Sequence, residues 1–191
     1  MKLLEEIIQE KGKVKSEEIV DVSSFLNAQV DPKVMEALGK DFADFYADYD
    51  FDLFVTVETS GIAPSVFAAL YANKPLIIIK KSLTEKDDPK FIQQSCFSFT
   101  KKNGYHLTVP KHLIEGKRVI LLDDFLAKGS VVHNVDKLLT QADASLVATG
   151  ICISKNFQPG YQMLVDEGHD LYCQAQIESI DVDSGIITFK S

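Results

Sequence analysis

The stretch "RVILLDDFLAKGSVVHN", Arg118 to Asn134, is a run of branched apolar residues that stops at two adjacent carboxylates, Asp123 and Asp124. A short loop, "AKGS", follows, and then residues with the apolar spacing of a helix. Ending a buried strand in two acids is costly, because like charges repel and both lose water. A stable pair needs hydroxyls, a metal or cations beside it. Gly129 permits close backbone approach, and Ser130 is placed to cap the helix while offering a hydroxyl. Successive amides at a helix N-terminus attract anions, phosphate above all. Alone, the loop also fits a plain strand–helix turn, and no GxxxxGK[ST] or GxGxxG pattern occurs in the chain.

Outward from this stretch the chain alternates. "DLFVTVE", "PLIIIK", "RVILLDD" and "SLVATGICIS" are continuous apolar runs, and helical spacing follows three of them, near Pro64–Tyr71, Val131–Gln141 and Tyr161–Glu167. Continuous rather than alternating apolar strands imply a parallel sheet covered on both faces. The expected class is α/β, an open, mainly parallel sheet flanked by helices. Two further helices are expected before it. One lies over "LLEEIIQEK" and stops at Gly12; the other is capped by Asp31, begins at Pro32 and carries Val34, Leu38, Phe42 and Phe45 on one face. "SEEIVDVSSFLNAQV" between them shows no clear period. The tail "AQIESIDVDSGIITF" alternates about a "DSG" turn and reads as a closing hairpin. "KKSLTEKDDPKFIQQSCFSFTKKNGYHLTV" reads as a flexible polar loop running into an antiparallel hairpin, and a long loop in a compact domain is usually functional.

Composition narrows the function classes. The chain has 191 residues, 46% of them apolar and 25% charged, with a formal charge of −8 and a pI near 5.0. That balance argues against general nucleic-acid affinity, although "KK" recurs at Lys80–Lys81 and Lys101–Lys102. No window approaches the ~20 apolar residues that span a bilayer, and the N-terminus lacks the cleavage site of a secretory signal. Cys96, Cys152 and Cys173 match no metal pattern and read as buried thiols in a reducing, cytoplasmic setting. His106, His112, His133 and His169 are scattered, suggest neither a metal site nor a triad, and leave His133 a structural helix residue.

In an open α/β sheet, ligands bind at the carboxyl ends of the strands. Here "VETSGIA", "LLDDFLAKGS" and "ICISKNFQPG" converge on one crevice. "VILLDDFLAKGS" resembles the phosphoribosyl pyrophosphate (PRPP) motif of type I phosphoribosyltransferases. "SSFLNAQVDP", "ETSGIAP", "SFTKK" and "KNFQPG" add a similarity to the xanthine phosphoribosyltransferases of bacterial purine salvage, from about Val20 to Gln162. The resemblance implies a single phosphoribosyltransferase domain over residues 1–191, with a small hood built from about 1–30 and 155–191. It implies that Asp123 and Asp124 hold the ribose hydroxyls as catalytic residues, while Ala127, Lys128, Gly129, Ser130 and Val131 wrap the 5-phosphate. Thr59, Ser60 and Gly61 would meet the pyrophosphate, with Lys80 and Lys81 adding charge; those lysines equally fit a solvated strand edge.

For the base, the resemblance implies Lys155 against an oxo group, Phe157 stacking on the purine, Asn27 reading a ring edge and Val20 lining the hood. Taken alone, Lys155 and Phe157 read as an ordinary lysine and a core aromatic. The expected reaction transfers the phosphoribosyl group from PRPP to xanthine, with Mg bound to the substrate and no protein metal site. Ser82 to Gln94, with Lys86 and Lys90, would be a lid. Hypoxanthine–guanine enzymes carry an acid where this chain has Ala127, so no general base is obvious. The candidates are Glu58, either motif aspartate, or no base at all if xanthine reacts as its anion, which is the expectation preferred. A homodimer is expected, acting on small molecules, with no nucleic-acid or membrane partner. The alternatives are a guanine/hypoxanthine enzyme, or a PRPP-sensing regulator of the same fold. Against the regulator, the ~50 residues before the first strand are acidic and too few for a winged-helix domain.

Overall fold

The structure, a computed structural model, describes residues 1–85, 88–98 and 103–190. Helix α1 (Lys2–Lys11) buries Leu4 and Ile8 and stops at Gly12, whose amide donates to the Ile8 carbonyl. The segment without a clear period forms a small hairpin, β1 (Lys13–Ser16) with β2 (Ile19–Asp21), and then one π-helical turn, Ser23–Asn27. Helix α2 (Pro32–Phe45) starts as its residues dictate. The Asp31 carboxylate accepts from the amides of Lys33 and Val34, and Pro32 occupies the first turn, where a missing N–H costs nothing. Val34, Leu38 and Phe42 are buried, but Phe45 is 41% exposed. At the helix end its ring stacks on Tyr172 instead, with centroids 3.8 Å apart.

The main sheet contains β3 (Leu53–Val57), β4 (Leu76–Ser82), β5 (Phe91–Ser98), β6 (Asn103–Pro110), β7 (Arg118–Leu126), β8 (Ser145–Lys155), β9 (Leu171–Ile180) and β10 (Ile187–Phe189). Its order is β10-β9-β8-β7-β3-β4-β6-β5. The five central strands, β9 through β4 in that order, are parallel; β10, β6 and β5 pair antiparallel. Two expectations change. The tail hairpin is real, but its first strand begins at Leu171 and is a fifth parallel strand. The expected lid is shorter, because Phe91–Gln94 pair in β5; Lys86 lies outside the described residues.

Each face of the sheet has its own core. Helices α1, α2 and α3 (Ile62–Ala72) cover one face over Phe54, Ile120 and Leu122. On the other, α4 (Ser130–Thr140), α5 (Gly160–Asp166) and the β5–β6 hairpin cover Val55, Val119 and Leu121. Successive residues of one strand point to opposite faces, so continuous apolar runs are what two covered faces require. The three cysteines are free and buried. Among the described residues, no helix is long and apolar enough to cross a membrane.

Candidate active site

Strand order decides where the site lies. From β3 the chain moves to β4 on one side, then returns to β7 on the other side of β3. The crevice of an open α/β sheet opens at such a reversal, beyond the carboxyl ends of the strands. Asp123 and Asp124 stand near the end of β7, which runs on to Leu126, and Thr59, Ser60 and Gly61 follow β3 after Glu58.

The acid pair is held as its cost requires. Asp123 is 9% exposed, and its Oδ1 accepts the Asp124 amide at 3.0 Å. Burial first, and the Asp124 charge second, push the Asp123 carboxyl well above the usual range; Lys81 pulls the other way. Burial also raises Asp124, opposed by hydrogen bonds that include one from the Ser60 hydroxyl. Gly61 lets the loop close on the pair: a Cβ there would fall 2.6 Å from Thr56 Oγ1 and 3.2 Å from Asp123 Oδ1. Glu58, which the sequence offered only as a candidate general base, organises the lysines. Its Oε1 accepts the Lys81 amide at 2.6 Å, and its Oε2 lies 3.7 Å from Lys80 Nζ.

Beside the acids lies a cleft of about 440 Å³. Ala127, Lys128, Gly129, Ser130 and Val131 line one part of it, and Lys155 another. Gly129, with φ 76°, is the N-cap of α4. Ser130 therefore does not cap the helix. The chain turns in through the left-handed glycine, and Ser130 is already the first helical residue, with its hydroxyl exposed to the cleft. Gly160 locks the loop from behind, since its amide donates to the Ala127 carbonyl at 3.0 Å.

Lys155 Nζ donates to the Glu18 carbonyl at 2.7 Å and lies 5.3 Å from the Phe125 ring centroid. Burial lowers its pKa, against the opposing charge of Glu18. The remaining residues expected at the base are placed elsewhere. Val20 is 5% exposed and packs into the core, Asn27 is exposed at the end of the π turn, and Phe157 is 37% exposed outside the cleft lining. The cleft is lined instead by Glu18, Ile19, Phe125 and Gln158. Ile19 could have been foreseen from the alternation of the "IVD" strand, in which Val20 faces inward. Phe125 carried no signal, because only the parallel register with β8 sets it opposite Ile153, two residues before Lys155.

The match to known proteins is extensive. Residues 26–180 match the phosphoribosyl transferase domain, and the chain belongs to that family. The fold is accordingly the type I phosphoribosyltransferase fold. At the level of particular proteins, the chain is 38% identical to a xanthine phosphoribosyltransferase of Agathobacter rectalis over 182 residues, 95% of each chain. It is 40% identical to the Lactococcus lactis xanthine phosphoribosyltransferase, also over 182 residues, 95% of this chain and 92% of that one. Among solved structures, adenine phosphoribosyltransferase from Trypanosoma brucei, in complex with AMP, pyrophosphate and ribose-5-phosphate, superposes with a TM-score of 0.73. That match has 17% identity and covers 91% of this chain and 79% of the other. The Rhodothermus marinus adenine enzyme gives 0.71 at 14% identity, covering 93% and 100%. At such identities the likeness to the adenine enzymes concerns the fold.

Proposed function

We propose that this protein transfers the phosphoribosyl group of PRPP to xanthine, giving xanthosine 5'-monophosphate and pyrophosphate in purine salvage. The observation that carries this is the buried Asp123–Asp124 pair, set between the α4 phosphate loop and the Ser60–Gly61 turn. Two carboxyls raised by burial, Asp123 also by the charge of Asp124, are suited to a vicinal diol, whose hydroxyls donate to both. A ribose 5-phosphate has that diol and an anionic group one loop away.

In this reading the amides from Ala127 to Val131 hold the 5-phosphate at the N-terminus of α4. Thr59, Ser60 and Gly61 hold the pyrophosphate, with Lys80 and Lys81 supplying charge. A purine ring nitrogen attacks the anomeric carbon as the bond to pyrophosphate breaks, and the departing oxygens keep the electron pair. Charge builds on the leaving group and on an oxocarbenium-like ribose, so positioning and electrostatics supply the rate. Xanthine reacts as its anion, so no proton has to be removed in the step. The Lys155 ammonium favours that anion and its oxo groups, and Phe125 and Ile19 give the base apolar faces.

The residues present fit a substrate-bound Mg ion. The Asp123 carboxyl, which lines the cleft, and its neighbour Asp124 are hard oxygen acceptors that could hold the waters of an ion bound to the substrate. When bound, Mg would neutralise charge on the pyrophosphate, while Asp123 and Asp124 orient the ribose. The homodimer belongs to the same proposal, supported by Val66, Leu70 and Tyr71, which α3 exposes at 49%, 68% and 44%.

The test is a PRPP- and Mg-dependent assay with xanthine, guanine, hypoxanthine and adenine in parallel. Preference for xanthine is expected. Preference for guanine or hypoxanthine would remove the assignment of Lys155, and PRPP binding without turnover of any base would replace the enzyme with a regulator.

A further inference from the structure

The histidines do not stay scattered. His133 in α4 and His169, just beyond α5, meet at Glu167. His133 Nε2 lies 2.5 Å from Glu167 Oε2, and His169 Nε2 lies 3.8 Å from the same oxygen. The two rings are 6.0 Å apart, and one ligand atom from each of the three residues falls within 4.8 Å of the others. Gly168, at φ 86°, turns the chain so that Glu167 and His169 face the same way, and the His169 amide is tied to the Leu164 carbonyl at 3.0 Å. The side chains are 29%, 45% and 19% exposed in chain order, so the group is partly shielded with one open side.

We propose that His133, Glu167 and His169 form a binding site for a divalent transition-metal ion of the Zn²⁺ class, with water in the fourth position. A simple ion pair needs one histidine. Two imidazole nitrogens converging on one carboxylate oxygen make a nitrogen-rich set, which suits Zn²⁺, Co²⁺ or Ni²⁺ and not Mg²⁺. Tetrahedral zinc with bonds of about 2.0–2.1 Å separates its ligand atoms by about 3.4 Å. The observed 2.5 and 3.8 Å lie on either side of that value, and all three ligand atoms fall within 4.8 Å of one another, so an ion would have to draw the side chains together. The ion would join α4 to the far end of α5, the two helices that flank the phosphate loop, and it takes no part in the transfer.

The experiment uses the full, untagged chain, stripped with chelator and titrated calorimetrically with Zn²⁺ in excess Mg²⁺. One Zn²⁺ per chain is expected, with a rise in melting temperature of about 5 °C near a hundredfold excess over Kd. Co²⁺ should give tetrahedral visible bands without the near-ultraviolet band of thiolate ligation. His133→Ala and His169→Ala should each weaken binding by at least about tenfold, and His112→Ala should leave it unchanged. Glu167→Gln carries the same expectation and serves if an alanine variant fails to fold. No stoichiometric ion in the parent chain, binding retained in folded ligand variants, or a sulfur-to-cobalt band would overturn the site.

Discussion

Replacing Gly160 by alanine should damage catalysis and stability by comparable free energies. Gly160 opens α5 against the back of the phosphate loop, and a Cβ there would lie 2.5 Å from the Ala127 carbonyl oxygen and the Gly129 nitrogen. All three nearest atoms are backbone, so no side chain can swing away. Ordinary contact starts at 3.4 Å, so loop and helix must part by 3.4 − 2.5 = 0.9 Å. Overpacking of this kind costs about 1–3 kcal/mol, a fall of roughly 2–12 °C in melting temperature for a chain this size. The same shift moves the amides that would hold the 5-phosphate, and a misplacement of about 1 Å costs on the order of 10²-fold in rate.

The assay is kcat/KM for PRPP at saturating xanthine, beside the melting curve. Gly39→Ala is the control: its Cβ would come 2.3 Å from Phe67 Cβ where α2 meets α3, away from the cleft, so it strains the core without touching the loop. It should lose stability and keep its activity per folded molecule. A folded Gly160→Ala protein within about threefold of the parent kcat/KM would refute the reasoning, since a displacement near 1 Å cannot be so mild.

Asp123→Asn separates stability from function. The folded-state pKa of Asp123 is raised, so its contribution is present below the unfolded value and is lost as pH rises through the folded one. The variant should therefore melt higher than the parent at neutral pH and lose less stability between acid and neutral pH. Loss of the charge-assisted bond to ribose should cost on the order of 10–10²-fold in kcat/KM for PRPP. A lower melting temperature at pH 7, read by scanning fluorimetry across pH, would contradict the burial argument. Lys155→Met should reduce kcat/KM for xanthine by about 10–10²-fold and narrow the margin over guanine, with KM for PRPP unchanged. Because burial lowers the Lys155 pKa, xanthine turnover in the parent should decline on the alkaline side below the ordinary lysine range. An unchanged base preference in the variant would take Lys155 out of the base pocket.

Contiguous chemistry was legible in the residues themselves. Asp31 and Pro32 announce the start of α2, the unbroken apolar runs announce parallel strands, and the order strand, acid pair, small loop, helix marks one end of the cleft. Signals of this kind are local, because capping, side-chain period and turn geometry act over a few residues. The sequence was silent, or misleading, where partners lie far apart. Phe45 has the right spacing for the core, yet it sits at the helix end and stacks on Tyr172. Val20 and Ile19 are neighbours on opposite faces of β2, and the alternation alone does not say that the outward one meets the cleft. Glu58 looks like any acid until β4 brings the Lys81 amide to it, 23 residues along the chain.

By itself, then, the sequence determined the class of sheet, the helices that cover it and the acid pair with the small loop after it, because each depends on spacing within one element. Tertiary structure alone decided that β3 lies between β7 and β4, and so that Ser60 reaches Asp124. It decided that Phe125 and Glu18 meet Lys155, and that two histidines 36 positions apart share one glutamate. Those contacts follow from strand order and helix packing, which minimise exposed apolar surface over the whole chain and leave no periodic trace in any one stretch of it.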